Sequence, residues 1–76
     1  MSIVKDLTAS ERFLLNEIDS VPGKIVRRNT LRQSARHLTI AGFTRVLRNM
    51  EKRSLVKITA AGEVTITYSG MKSLEG

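Results

Sequence analysis

Between Thr39 and Met50 the apolar residues of this chain recur at helical spacing, and between Leu55 and Ser69 they alternate. The hydrophobic period thus drops from about 3.6 to about 2 within a few residues. This switch constrains the fold more than any other feature. A helix with one apolar stripe and strands with one apolar face are stable only when each covers another element. The stripe consists of Ile40, Phe43, Val46, Leu47 and Met50. These five span an arc of about 120°, the width expected of a helix packed on a core. Thr39 is placed to cap this helix, which is expected to run to about Arg53. Next come LVKIT, AAG and EVTITYS, two β-rich runs around a short loop containing Gly62, which predict a hairpin. On its second strand Val64, Ile66 and Tyr68 are expected on one face, with Thr65, Thr67 and Ser69 on the other.

Upstream, Thr8-Ala9-Ser10-Glu11 has the spacing of a capping box, in which Thr and Glu side chains each accept an otherwise unpaired backbone N–H. Phe13, Leu14, Ile18 and Val21 continue at helical spacing until Pro22-Gly23 ends the run. The first helix is expected over roughly residues 9 to 20. Residues 24–28, KIVRR, fit a brief strand or a loop. Asn29 or Thr30 offers the next N-cap, Gln33 completes a second capping box from Thr30, and Leu31, Ala35 and Leu38 follow. A second helix is expected over roughly residues 30 to 37. The expected class is therefore α+β, three helices followed by a β-hairpin wing, the plan of a winged helix-turn-helix.

The chain has 76 residues and no cysteine, so disulfides and thiolate metal sites are excluded. A chain of this length buries only about 60% of its unfolded surface, and residues 1–76 are read as one domain held by packing alone. The N-terminal stretch MSIVKDLTASER carries no apolar signal-peptide core, and no apolar run approaches the roughly 18 residues of a membrane span. A soluble, cytoplasmic protein without membrane contact is expected. Thirteen Lys and Arg against seven Asp and Glu give a formal charge of +6, which favours a polyanionic partner.

Charge position within the third helix sharpens this expectation. With Phe43 as the origin of a helical wheel, Ala41, Arg45, Arg48 and Lys52 fall between about 140° and about 200°, opposite the apolar stripe. Thr44, Asn49 and Gly42 flank them at about 100°, 240° and 260°. Any amphipathic helix has a polar outside, but here no acid interleaves with the cations, as i, i+4 pairing on a merely solvated face would favour. Glu51 lies off to the side at about 80°. Ala41 and Gly42 remove bulk where a helix would approach base edges, while the longer cations reach guanine edges or phosphates. Thr39, at the helix start, is a candidate for placing a phosphate. A second basic set, Arg27, Arg28, Arg32 and Arg36, precedes this helix. Arg36, nearest the turn, is the favoured candidate among them for a phosphate contact.

The stretches FTRVLRNMEKRSLVKI and TITYSGMKSL resemble the recognition helix and wing of the MarR-like transcriptional regulators. In those proteins a Thr-Arg pair precedes a Leu-Glu-x-x-Gly-Leu-Val ending, and a Leu-Thr-x-x-Gly closes the wing. Leu7-Thr8 fits the same plan, and the resemblance covers residues 7 to 74. Two departures stand out. Ser54 replaces the glycine at the helix end, so a left-handed cap there is expected to be missing or distorted. The wing tip reads Ala60-Ala61-Gly62-Glu63 rather than basic, which puts insertion of the wing into a minor groove in doubt. The resemblance implies a bare DNA-binding module without the flanking dimerisation helices.

The expected function is sequence-specific binding of double-stranded DNA by helix three in the major groove, as a small transcriptional regulator. The candidate DNA-binding residues are Arg36, Thr39, Ala41, Gly42, Thr44, Arg45, Arg48, Asn49 and Lys52. One module buries only about 600–1,000 Å² of protein on DNA, so useful specificity calls for a homodimer or adjacent copies. Met71, Leu74, Ile3 and Val4 are the apolar candidates for that contact. The alternatives are a winged-helix protein-interaction module and an RNA-binding module. His37, the single histidine, lacks the companions of a metal site or an oriented catalytic base, and no cofactor fingerprint occurs. No enzymatic activity, metal or cofactor is expected.

Overall fold

The computed structural model describes residues 7–75, so the contact role expected of Ile3 and Val4 lies outside the described residues. Helix α1, Ala9–Asp19, starts as its sequence dictates. The Thr8 hydroxyl accepts the Glu11 N–H at 3.1 Å, and the Glu11 carboxylate accepts the Thr8 N–H at 3.0 Å. A single 3-10 turn, Pro22–Lys24, leads into strand β1, Ile25–Arg27. Of the ambiguous segment 24–28, residues 25–27 are therefore strand, and they pair antiparallel with a strand some forty residues later.

Helix α2, Arg28–Ser34, begins and ends earlier than its capping residues suggest. Thr30 lies inside the first turn and the Thr30–Gln33 box does not form; the N-cap is Arg27, which makes no side-chain capping bond. Tertiary structure sets this start instead. β1 runs straight into the helix, and the Arg28 N–H donates to the Gly62 carbonyl at 2.8 Å. Ala35, with φ −100° and ψ 47°, ends the helix, so Arg36 and His37 stand in the turn.

Helix α3, Ile40–Lys52, has the expected extent. Its C-terminus overturns the expectation of a missing left-handed cap. Ser54 itself takes φ 62°. The Leu55 N–H reaches the Met50 carbonyl at 2.8 Å and the Ser54 N–H reaches Glu51 at 3.0 Å, the two bonds of a Schellman turn. These bonds, with the Thr67 hydroxyl donating to the Ser54 carbonyl at 2.6 Å, hold a non-glycine residue in that region.

Strands β2, Val56–Ile58, and β3, Glu63–Ile66, form the expected hairpin around Gly62, whose φ of 85° suits the turn. The sheet order is β1-β3-β2, with Val64 of β3 opposite both Val26 and Ile58. β3 is shorter than its alternating pattern. A fourth helix, α4, covers Tyr68–Glu75, where the sequence suggests only a closing turn. The Thr67 hydroxyl accepts the Gly70 N–H at 3.0 Å, which turns the chain helical just where alternation places Tyr68 on the buried strand face. Tyr68 is accordingly exposed. Gly70 is buried against β2's entry; a Cβ there would strike the Leu55 carbonyl oxygen. The described residues are thus α+β, with four α-helices and a three-stranded antiparallel sheet rather than three helices and a hairpin.

One core unites the elements: Leu14, Leu15 and Ile18 of α1, Leu31 of α2, Phe43, Leu47 and Met50 of α3, and Val56, Val64 and Ile66 of the sheet. Met71 and Leu74 pack partly against it. The pair Arg53–Glu11, at 3.0 Å, ties the end of α3 to the start of α1; Glu11 is only 4% exposed.

Candidate nucleic-acid interface

The N-terminal turn of α3 is shaped by its cap. The Thr39 hydroxyl accepts the Gly42 N–H at 3.0 Å, so Thr39 spends its side chain on the helix it starts. A Cβ on Gly42 would come within 3.0 Å of that hydroxyl oxygen. The small residue at position 42 therefore serves the cap, and Gly42 is half-buried.

Past this turn, the residues predicted to face outward do so. Ala41, Arg45, Arg48, Asn49 and Lys52 are exposed and Thr44 is half-buried. Ala41, Thr44, Arg45, Arg48 and Asn49 line a single shallow depression. Five of the nine predicted site residues are thus brought together. Lys52 continues the same face one turn on, while Thr39 and Gly42 form the cap at its other end. Arg36 is exposed in the α2–α3 turn and lines none of the depressions that flank α3.

The arginine that the structure joins to α3 is Arg28. Its guanidinium donates to the Thr44 hydroxyl at 3.2 Å across the α2–α3 junction. It lines the depression shared with Thr44, Leu47, Arg48 and Glu51. It also lines another with Asn29, Arg32, Ile40, Phe43 and Thr44. In the sequence Arg28 belongs to the second basic set, but its contact with Thr44 depends on α2 starting at residue 28, which no capping residue signals.

A second departure from expectation is Ile40. Its spacing assigns it to the buried stripe, yet it is 69% exposed, whereas Phe43, Leu47 and Met50 are buried. It is the first residue of α3, one turn before Phe43, the first α3 side chain in the core.

The remaining charges accentuate the cationic character of this face. Three ion pairs occur among the described residues: Lys24–Asp19 at 2.7 Å, Arg53–Glu11 at 3.0 Å and Lys72–Glu75 at 3.5 Å. All three acids are therefore matched away from the outward side of α3. Arg28, Arg32, Arg45, Arg48 and Lys52 have no carboxylate partner among the described residues. Glu51 borders the face beside Arg48, and Glu63 lies opposite Arg27 in the sheet register. Lys72, on α4, has its pKa raised by the Glu75 carboxylate and then by Tyr68, whose ring lies 5.5 Å from the ammonium. His37 sets its ring edge-on to Phe13, with centroids 4.9 Å apart.

Among the described residues no three His, Cys, Asp or Glu side chains are grouped to hold a metal ion, and no helix is long and apolar enough to cross a membrane. No protein-family model matches the chain, nor does any curated protein or solved structure.

Proposed function

We propose that this chain is a winged helix-turn-helix protein that binds double-stranded DNA sequence-specifically, with α3 in the major groove, and acts as a small transcriptional regulator of the MarR-like kind. The observation that carries the reading is the outward side of α3 and its junction with α2. Arg28, Arg45 and Arg48 surround Ala41, Thr44 and Asn49, with the acids of three ion pairs consumed elsewhere. A B-DNA major groove is about 12 Å wide and admits one helix, and bidentate Arg to guanine and Asn to adenine are its commonest readers. Arg45, Arg48 and Asn49 supply those groups from one face. Arg28 and Arg32, at the flank, suit phosphates, which fix register without reading sequence.

The β2–β3 loop has a different role in this reading. Ala60 and Ala61 bring no cation, and the Gly62 carbonyl is engaged by the Arg28 N–H. The loop braces α2 and leaves DNA contact to the helices.

Selection of bound duplexes from a random pool tests the proposal. Enrichment of one half-site or an inverted repeat is the expected result, the repeat also revealing a homodimer. No enrichment, with equal retention of duplex RNA, would replace the regulator with a shape-reading RNA binder. A protein-interaction role, with an acidic partner on the same face, predicts no nucleic-acid retention at physiological salt.

A further inference from the structure

We infer that Ile40, with Ala41 beside it, reads the C5-methyl group of a thymine in the DNA major groove; the inference rests on the DNA-binding reading above and deepens it. Ile40 is a large apolar side chain that the core does not use, 69% exposed on the first turn of α3. Its surroundings argue against an ordinary protein contact. The depression it lines also carries the edge of the buried Phe43 with Arg28, Arg32 and Asn29, and Thr44 joins it to the depression of Ala41, Arg45 and Arg48. A small apolar spot set in a cationic rim is complementary to a surface that is anionic at its edges and bears a small apolar group within. DNA meets that description at thymine, whose methyl is the only apolar group that an unmodified base pair presents in the major groove. The placement on α3 agrees: N-terminal residues of such a helix lie nearest the base edges, and cations further along reach outward.

The methyl explains the pairing of residue types along the helix. On the helical wheel Ile40 adjoins Thr44 and lies half a turn from Asn49, so Ile40 and the Thr44 methyl offer apolar contact on the side of α3 that meets Arg28, while Arg48 and Arg45, further round, offer hydrogen bonds to purines. The Arg28–Thr44 bond at 3.2 Å orients the Thr44 hydroxyl toward the guanidinium. The preferred half-site then has thymine at the end met by the start of α3 and purines toward its middle.

The test uses the unaltered protein on its selected duplex, with thymines replaced one at a time by deoxyuridine, which removes only the methyl. Loss of one buried methyl contact should weaken binding about fourfold at one or two positions and leave the rest unchanged. The Ile40→Ala variant, checked for an unchanged melting curve, should bind the thymine duplex more weakly and lose its sensitivity to deoxyuridine at those positions. A second arm methylates the cytosines of a CpG-containing pool. A gain on methylation without any deoxyuridine effect would move the contact to 5-methylcytosine and overturn the thymine assignment. Specific binding that is indifferent to every deoxyuridine would overturn the inference and leave the DNA-binding reading standing. Absence of specific duplex binding would remove both.

Discussion

Replacing Ser54 with glycine should stabilise the protein, although it deletes a side chain. Ser54 has φ 62°, a region where a Cβ crowds the following carbonyl and costs an L-residue about 1–2 kcal/mol. Glycine escapes that cost but adds about 0.4–1 kcal/mol of backbone entropy to the unfolded chain. None of the bonds that define the turn uses the Ser54 side chain: its N–H donates to Glu51, its carbonyl accepts from Thr67, and the neighbouring Leu55 N–H donates to Met50. Glycine keeps each of them, and no hydrogen bond of the exposed Ser54 hydroxyl is forfeited. The midpoints of the two terms differ by about 0.8 kcal/mol in favour of glycine, or about 3–6 °C in Tm for a domain of this size. Urea unfolding followed by circular dichroism should show a higher midpoint at unchanged slope, because the surface buried does not change. Ser54→Ala provides the control: it removes the hydroxyl and keeps the Cβ, so it should give no gain. A Ser54→Gly variant no more stable than wild type, or an alanine variant that matches glycine, would refute the argument from left-handed strain. Lys24, at φ 56°, is a poorer place to ask the question, since its ammonium bonds both the side chain and the carbonyl of Asp19.

Arg45→Ala and Arg48→Ala should each weaken specific DNA binding by about 1–3 kcal/mol at unchanged Tm, measured by titration and thermal melting; unfolding would place them in a stabilising network instead. For the wild type, log K should fall against log salt with a slope of roughly −4 to −5, as expected if about four to six phosphates are neutralised, and a flat line would count against DNA. Gly70→Ala should cost about 2–3 kcal/mol, because its Cβ meets the Leu55 carbonyl as well as Ile66 Cγ1 at 2.8 Å; an unchanged denaturation midpoint would disprove that close approach. Glu11→Gln should cost about 1–2 kcal/mol, a value reduced from that of a fully buried pair because the Arg53 side chain is 36% exposed. Near-wild-type stability in urea would mean that the Arg53 pair contributes little.

The features legible in the sequence were those decided within a few residues. The capping box of α1 and the stripe of α3 are local, and both elements lie where their residues put them. Helix α2 illustrates the opposite case. Its start depends on Gly62, thirty-four positions away, and on β1 pairing with β3, so Asn29 and Thr30 gave a false cap. Alternation likewise carried Tyr68 into a strand because periodicity has no term for the Thr67 hydroxyl capping α4. Ile40 misled for a geometric reason: a helical wheel projects all residues onto one circle and discards their height along the axis. The candidate face itself was largely legible, since exposure on α3 follows from its own period. Arg28 was not singled out, because only the tertiary junction brings it to Thr44.

The pairing of β1 with β3 also sets an order of events during translation. Ile25 finds its partner only when Thr65 has been added, about 40 residues later, or about 2–8 s at ordinary elongation rates. The Gly62 carbonyl that receives the Arg28 N–H arrives in the same interval. Helix α1 carries its own start signal and is ready early, whereas the junction of α2 with α3 is fixed last. Everything from Arg28 to Gly62 is therefore synthesised before the junction can close, and a nascent chain presents Arg28 apart from Thr44 until β3 emerges.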